Sequence, residues 1–474
     1  MQASEKVRIA KTLITTKTAA TGVAHLATRP LPLFLALQKE HLVSKIVLIG
    51  AGSYAFGYAT FRDLFAARTT LAGSTVVLVD INPQALQLMY HFAQRLNEAV
   101  GCPFTFEATT DRRTALPGAD FVIISIAVRR NELWRLDFQI PLKHGVRHIL
   151  GENGGPGGLF HAMRNIPIIL DIARDIEELA PDAFVINFTN PEGRICQALH
   201  RYTRLKFVGL CHGIEMMRRV AGRLLDLPPQ QIDPTAGGLN HFSWVLALRH
   251  AETGADLYPA FRQAVRERGD AVAAEFGHTV SLSRFLMETF GYWPLPSDDH
   301  VGEYLPYAWE FCGLEGYPFD RVDRESAEFR QQVERWADGV EPVAPLLTAE
   351  MHERAIPIIT AMLTNAHQYE LSVNVPNRGY VANLPDNAIV EVPAMVDANG
   401  IHPLPIGALP EPIAALCRTQ ITIIDRVVEA GVHGDRAAAL QALLLDPHIA
   451  SVQQAQAILD ELLTAQRDFL PQFR

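Results

Sequence analysis

The 474-residue chain lacks the features that would mark a secreted, membrane-spanning or nucleic-acid-binding protein. Its five cysteines are scattered and odd in number, so no disulfide framework is predicted and we expect a reducing, cytoplasmic setting. No apolar run approaches the ~20 residues that a membrane-spanning helix needs. The net charge of -10 argues against a nucleic-acid partner, because phosphate binding needs a concentrated basic face. With 48% hydrophobic and 20% charged residues, the composition is that of an ordinary globular protein.

The N-terminal segment differs from the rest of the chain. Residues 1–44 carry few acids and lack the compact apolar core of a secretory signal. This composition is compatible with a targeting segment, with a disordered tail, or with an upstream translation whose true start lies near Val43. We favour the last two, because the first strand-like run begins only at Lys45.

A dinucleotide-binding turn follows that run. Residues 45–49 (KIVLI) are apolar, and Gly50-Ala-Gly-Ser-Tyr-Ala55 matches the pattern G-x-G-x-x-G/A. The small residues permit a tight turn and close approach to a pyrophosphate at a helix N-terminus. A second apolar run ends at Asp80, whose carboxylate suits ribose hydroxyls and disfavours a 2′-phosphate, so NAD is predicted over NADP. The predicted cofactor-binding residues are Gly50, Gly52, Ser53, Asp80, Asn82 and Ser125.

The order of predicted elements indicates the fold class. Strands and helices alternate up to about residue 230, which predicts an α/β fold with a Rossmann-like, doubly wound parallel sheet. Beyond that point the rhythm is lost, and we expect a second, mainly helical α+β catalytic lobe. The predicted domains are the extension 1–44, an NAD-binding domain 45–230, and a substrate- and metal-binding, oligomerisation domain 231–474. The helices predicted in the long segments cover 164–180, 257–276, 344–364, 410–430 and 452–464.

Two polar islands lie downstream of the cofactor turn, GLCHG at 209–213 and GLNHFSW at 238–244. Cys211 and His241 would offer a metal ion two ligands and leave positions open for substrate oxygens. Ligand softness alone favours zinc or iron. An isolated pair of this kind is more often a buried thiol and a hydrogen-bonded core histidine. Cys211, however, follows a predicted strand, and ligands gather at such strand ends.

Several further motifs complete a recognisable series. They are VDIN at 79–82, GPGG at 155–158, NFTNP at 187–191, and a late block, NVPNRGYVANLP…AIVEVPAMVDANGIHP, at 374–403. In order and spacing the chain resembles the NAD- and manganese-dependent glycosidases of glycoside hydrolase family 4, from Lys45 to beyond Pro403. With His at position 212, the chain resembles the relatives that cleave unphosphorylated α-glycosides. Residues 155–244 look most like the α-galacturonidase branch. Two pairs, Glu152-Asn153 and Glu192-Gly193, depart from the pattern expected for this branch. The departure bears on the identity of the substrate and not on the mechanism.

The resemblance implies NAD and Mn²⁺ as cofactors and an elimination mechanism. In it the sugar C3 hydroxyl is oxidised, a base removes the C2 proton, the glycosidic oxygen leaves, water adds, and the hydride returns. This differs from hydrolysis by paired carboxylates. The base is predicted to be Asp298 in PSDDHVGEY, with Asp299 as the alternative, and His212 is predicted as general acid or sugar contact.

Additional polar residues are candidates for substrate binding. Those predicted to contact substrate are Asn190, Asp137 and His300, with Glu303 weaker and Arg129, Arg130 and Arg164 available for a C6 anion. The leading hypothesis is an α-glycosidase for an unphosphorylated sugar, including C6-acidic galacturonides or glucuronides. A sulfoquinovosidase with the same mechanism and an NAD-dependent sugar or hydroxy-acid dehydrogenase are the alternatives. We expect a homodimer or homotetramer whose other partner is a small carbohydrate, with no nucleic-acid or membrane partner.

Overall fold

Twelve strands form one mixed sheet in the computed structural model, which describes residues 42–348 and 353–474. The described residues belong to one compact unit that begins at His41. The predicted extension lies outside the described residues as far as residue 41. The predicted boundary at residues 230 and 231 is not tested by this division and stays a prediction.

The first half of the sheet is parallel, in the order β3-β2-β1-β4-β5-β6. This is the order of a dinucleotide-binding sheet, and the predicted fold class is confirmed. Its strands are β1 (Lys45–Ile49), β2 (Thr75–Val79), β3 (Thr105–Thr109), β4 (Phe121–Ile124), β5 (Phe184–Asn187) and β6 (Lys206–Gly209). Its helices are α1 (Tyr54–Ala66), α2 (Pro83–Ala99), α3 (Arg112–Ala115), α4 (Arg130–Lys143), α5 (Gly155–Leu179), α6 (Glu192–Tyr202) and α7 (Gly213–Leu225).

The second half of the sheet is antiparallel and continues in the order β6-β10-β11-β7-β8-β9, with β12 paired to β11. Its strands are β7 (Ile232–Leu239), β8 (Phe242–His250), β9 (Trp293–Leu295), β10 (Gln368–Pro376), β11 (Ile389–Asp397) and β12 (Gly400–Pro403). Its helices are α8 (Tyr258–Glu275), α9 (Ser281–Phe290), α10 (Asp298–Gly302), α11 (Trp309–Cys312), α12 (Phe319–Ala337), α13 (Ala355–Thr364), α14 (Glu411–His433), α15 (Arg436–Leu445) and α16 (Val452–Ala465).

The strands β10 and β11 come from the late block, yet they lie between β6 and β7. One row of register partners crosses this junction: Gly209 pairs with Asn374, Asn374 with Glu391, and Glu391 with Gly238. The islands that follow β6 and β7 are therefore joined by strands from more than a hundred residues later in the chain.

Two predicted helices differ in the structure. The helix predicted over 164–180 begins earlier, at Gly155, because the glycine-rich segment before it is itself helical. The continuous helix predicted over 344–364 is wrong: Ala344–Thr348 is a 3-10 turn, and α13 begins separately at Ala355. Pro357 lies in the first turn of α13, where its missing N–H breaks no helical hydrogen bond.

In the part of the chain that the structure describes, no helix combines the length and the apolar character needed to cross a membrane.

Candidate active site

Two close contacts of glycine backbone shape the cofactor turn, residues 50–55. Gly50 has a φ of +94°, and a Cβ there would lie 1.9 Å from the Ser125 carbonyl oxygen, so only glycine is accommodated. Gly52 N–H donates to Asp80 Oδ2 at 2.8 Å, and a Cβ on Gly52 would lie 2.7 Å from that carboxylate. The ends of β1, β2 and β4 thus bring the predicted NAD-binding residues together.

Asn82 also stabilises the local fold. Its side chain accepts from the N–H groups of Gln84 and Ala85 at 3.1 Å and caps helix α2. Its own N–H donates to Asp80 Oδ1 at 2.8 Å. Ser53 precedes α1, at whose N-terminus unpaired N–H groups favour an anion.

His241 has the properties of a metal ligand. It is buried, has a φ of 59°, and its Nδ1 has no hydrogen-bond partner among the described residues. Burial lowers the pKa of His241 well below its usual value, and the neighbouring His300 and His212 lower it further, so the ring is neutral. Its ligand atoms lie within 4.8 Å of those of His300 and Glu303.

The other two members of this group are engaged elsewhere. Glu303 Oε2 accepts from the N–H groups of Glu152, Asn153 and Gly154 at 2.6, 2.7 and 3.1 Å, and so holds the segment that begins α5. Although burial disfavours its charged form, the carboxylates of Glu303 and Asp299 raise the pKa of His300 to about 9. His300 Nδ1 lies 3.5 Å from Glu303 Oε1, so these two residues form an ion pair beside the unpartnered Nδ1 of His241.

Cys211 is not one of the three residues whose ligand atoms lie within 4.8 Å of one another, but Asn240, the neighbour of His241 in the chain, lies close to its sulfur. The Asn240 side-chain amide donates to Glu391 Oε2 at 3.3 Å. Burial, with the carboxylates of Glu391 and Glu192 nearby, raises the pKa of the Cys211 thiol. A neutral imidazole and a thiol that a cation would convert to its thiolate are donor types that fit a divalent cation.

The two adjacent aspartates have different surroundings. Asp298 is buried, and its oxygens accept from the N–H groups of Leu282 and Ser283 and from the hydroxyls of Ser283 and Thr279 at 2.6–3.1 Å. It therefore holds the start of α9. Asp299 faces His241 and His300, and although burial opposes it, His300 and Ser297 hold the pKa of Asp299 below its usual value. The geometry favours Asp299 over Asp298 as a base.

His212 lies at the more exposed side of the site, with 65% of its side chain accessible. Its Nδ1 is 3.9 Å from Glu353 Oε2, and burial raises the pKa of Glu353. Nothing in the local sequence pattern pointed to Glu353, because it follows β6 by more than a hundred residues.

Asp137 does not reach this site. It is fully buried and paired with Arg164 at 2.6 and 3.0 Å, and Gln466 donates to it at 2.6 Å. The predicted sugar contact at Asp137 and the predicted anion contact at Arg164 therefore find no support, since each neutralises the other in the core. Arg129 pairs with Glu132, whereas Arg130 pairs with Glu152 at 3.0 Å beside the start of α5. Asn190 follows β5, as predicted, and its carbonyl accepts from Asn165.

A small cavity of about 20 Å³ adjoins the site. Its lining includes Glu192, Arg194, Asn153, Asn240 and Tyr304. Glu192 and Arg194 are both buried, and Glu192 Oε2 and the Arg194 terminal nitrogens have no partner among the described residues. Burial raises the pKa of Glu192 to about 8. The unusual Glu192-Gly193 pair of the sequence thus places a neutral acid behind Cys211.

Family models match both halves of this chain. A model of the family 4 glycosyl hydrolases matches residues 45–227, and a model of the C-terminal domain of that family matches residues 236–449. The two matches include both polar islands and the late block. The chain therefore belongs to the family 4 glycosyl hydrolases, and the predicted class of enzyme, a glycosidase, is confirmed.

Individual relatives of the chain include glycosidases that act on different sugars. It is 37% identical over 463 residues to an α-glucosidase of Erwinia rhapontici, with 90% of this chain and 99% of that protein covered. An α-galacturonidase of Bacillus subtilis (strain 168) is 31% identical, with 85% and 93% covered. A 6-phospho-α-glucosidase from gut microorganisms, solved with NAD and Mn²⁺, has a TM-score of 0.82 over 91% of this chain and 100% of its own. At 22% identity, that last likeness supports the fold alone.

Proposed function

We propose that this chain is an NAD- and divalent-metal-dependent α-glycosidase that acts on an unphosphorylated substrate. The observation that carries the proposal is the buried, neutral His241, whose Nδ1 has no partner among the described residues, which lies near Asp299 and whose chain neighbour Asn240 lies close to Cys211. The glycine turn with Asp80 supports NAD as the dinucleotide. Structures of family members with NAD and Mn²⁺ support the same cofactor pair.

The residues of the site have separable roles in this proposal. When bound, NAD⁺ and the cation supply reversible oxidation at the sugar C3 and Lewis-acid stabilisation of the adjacent charge. Asp299 removes the C2 proton, since it is ionised and lies next to the ligand His241. His212, beside Glu353, protonates the leaving oxygen, and Asn190 holds sugar hydroxyls. His300, held charged by Glu303, keeps Asp299 ionised.

We propose an α-glucoside, or its C6-acidic counterpart, as the sugar. Similarity to both an α-glucosidase and an α-galacturonidase supports this pair. A C6 carboxylate or sulfonate would need a cationic side chain to bind it. Among the arginines predicted for this role, Arg130 remains near the site, with 48% of its side chain exposed. Comparing 4-nitrophenyl α-glucoside, α-galacturonide and α-sulfoquinovoside in wild type and Arg130→Ala tests this choice. Loss confined to the anionic substrates supports an acidic sugar, and equal loss with all three rejects it.

The mechanism is tested by hydrogen exchange at C2. Hydrolysis in D₂O should release sugar that carries deuterium at C2, because the base exchanges its proton with solvent. Asp299→Asn should lower kcat by about 10²–10⁴-fold, and it should suppress exchange while NAD binding persists. Asp298→Asn is the matched control, which should lower the melting temperature and retain exchange. Hydrolysis without deuterium at C2, or stoichiometric NADH release, would contradict the proposal, and the second result would indicate a dehydrogenase.

A cytoplasmic homodimer or homotetramer is also part of the proposal. The free cysteines of the described chain are compatible with a reducing compartment. Light scattering of the purified protein measures the assembly directly, and a monomeric mass would reject it.

A further inference from the structure

The late block contributes a buried carboxylate beneath the candidate metal ligands. Glu391 lies on β11 and is only 5% exposed. Its Oε1 accepts from Ser243 Oγ at 2.7 Å, and its Oε2 accepts from Asn240 Nδ2 at 3.3 Å. The polar side chains of Ser372 and Asn374, both on β10, also lie close to this carboxylate.

Sheet register explains why these groups meet. The row Gly209, Asn374, Glu391, Gly238 crosses four strands, and Ser243 on β8 pairs with Gly238. Side chains of register partners project from the same face of a sheet. The row therefore forms one polar strip that runs from the end of β6, just before Cys211, to the end of β7, just before His241.

No cationic side chain pairs with this carboxylate within the described part of the chain. Its hydrogen-bond donors are the Ser243 hydroxyl and the Asn240 amide, and it forms no ion pair with a lysine or arginine there. An uncompensated buried charge is costly. The comparable buried acid of β10, Glu370, is instead paired with Arg354 at 2.6 and 2.8 Å.

We infer that Glu391 is a positioning residue of the metal centre, which holds Asn240, the chain neighbour of His241, beside Cys211 and offsets the charge of the bound cation. Carboxylates that act through a ligand's hydrogen-bond partner commonly change metal affinity by 10–100-fold. This role rests on the proposed metal dependence and explains what the AIVEVP part of the late block contributes.

The test is Mn²⁺ binding to the full-length protein, measured by calorimetry in the absence of substrate. Glu391→Gln keeps the shape and the acceptor for Ser243 but removes the charge. We expect its Kd for Mn²⁺ to rise 10–100-fold, while the Kd for NAD and the melting temperature of the metal-free protein stay close to wild type. Glu370→Gln is the control: it should lower the melting temperature and leave the Kd for Mn²⁺ unchanged.

Two further measurements keep the outcomes distinct. Ser243→Ala keeps the Glu391 charge but removes the hydroxyl that holds it, so it should weaken Mn²⁺ binding by a smaller factor even where Glu391→Gln fails to fold. With Co²⁺ as a probe, the thiolate-to-metal absorption band should shift in Glu391→Gln, which a purely structural role would not produce. Wild-type protein that binds no Mn²⁺ overturns the proposed metal dependence. Wild type that binds it with the same Kd as Glu391→Gln and Ser243→Ala overturns this inference alone.

Discussion

The two halves of the sheet supply site residues in different ways. In the parallel half, Asp80, Ser125, Asn190 and Cys211 each lie within three residues of the end of a strand, so position in the chain predicts position at the sheet edge. In the antiparallel half, the neighbours of His241 are Asp299 and His300 of α10 and His212, which follows β6, and strands of the late block separate β6 from β7. Local pattern is therefore a good guide to the first half and a poor one to the second.

The largest loss of activity should come from a substitution of Cys211, which lies where the parallel and antiparallel halves of the sheet meet. Cys211→Ser replaces a thiolate ligand with a hydroxyl that binds metal weakly at neutral pH, and several kcal/mol of lost Lewis-acid stabilisation corresponds to about 10³-fold in kcat. Binding of NAD in the parallel half should be unchanged, as measured by calorimetry. Chelator-treated wild type should match the variant and recover with Mn²⁺. Full activity after chelation would mean that Cys211 does not act as a metal ligand in catalysis. The proposed contrast between an NAD-binding half and a metal-binding region would then lose its support.

An intermediate effect is expected at Glu192, which lies behind the junction. Its folded-state pKa is raised from 4.5 to about 8, so the associated stability is present below pH 4.5 and is lost as the pH rises toward 8. The full difference is on the order of 5 kcal/mol. Metal-free wild type should melt at lower temperature as the pH rises through this window, whereas Glu192→Gln should not share this part of the pH dependence. Parallel pH profiles would show that Glu192 is ionised in the fold.

The smallest expected effect is a loss of stability on substitution of Asn82, which lies in the parallel half. Asn82→Ala removes the side chain that caps α2 and should lower the free energy of unfolding by about 1 kcal/mol. Urea denaturation measures this directly. Mn²⁺ affinity should not change, because Asn82 belongs to the opposite half of the site. A coupled loss of Mn²⁺ affinity would mean that the two halves are not independent in binding.

The neighbouring aspartates show where prediction from local pattern stops. Both are acids of one segment, and the sequence predicts Asp298 as the base, with Asp299 as the alternative. Leu282 and Ser283, from the start of α9, and Thr279, just before it, hydrogen-bond to the Asp298 carboxylate. Asp137 was misplaced for a similar reason, because its partners Arg164 and Gln466 come from distant segments.

From the sequence alone followed the parallel strands, the glycine turn and the family, because each depends on short-range spacing or on motif order, whereas the metal pair Cys211 and His241 stays a prediction. Folding added what depends on contacts between distant segments. It placed the late block between β6 and β7, set Asp299 rather than Asp298 beside His241, and buried Glu391 without a cationic partner among the described residues. A side chain's protonation and role depend on which groups surround it after packing, and here those groups come from segments as far as 329 residues apart.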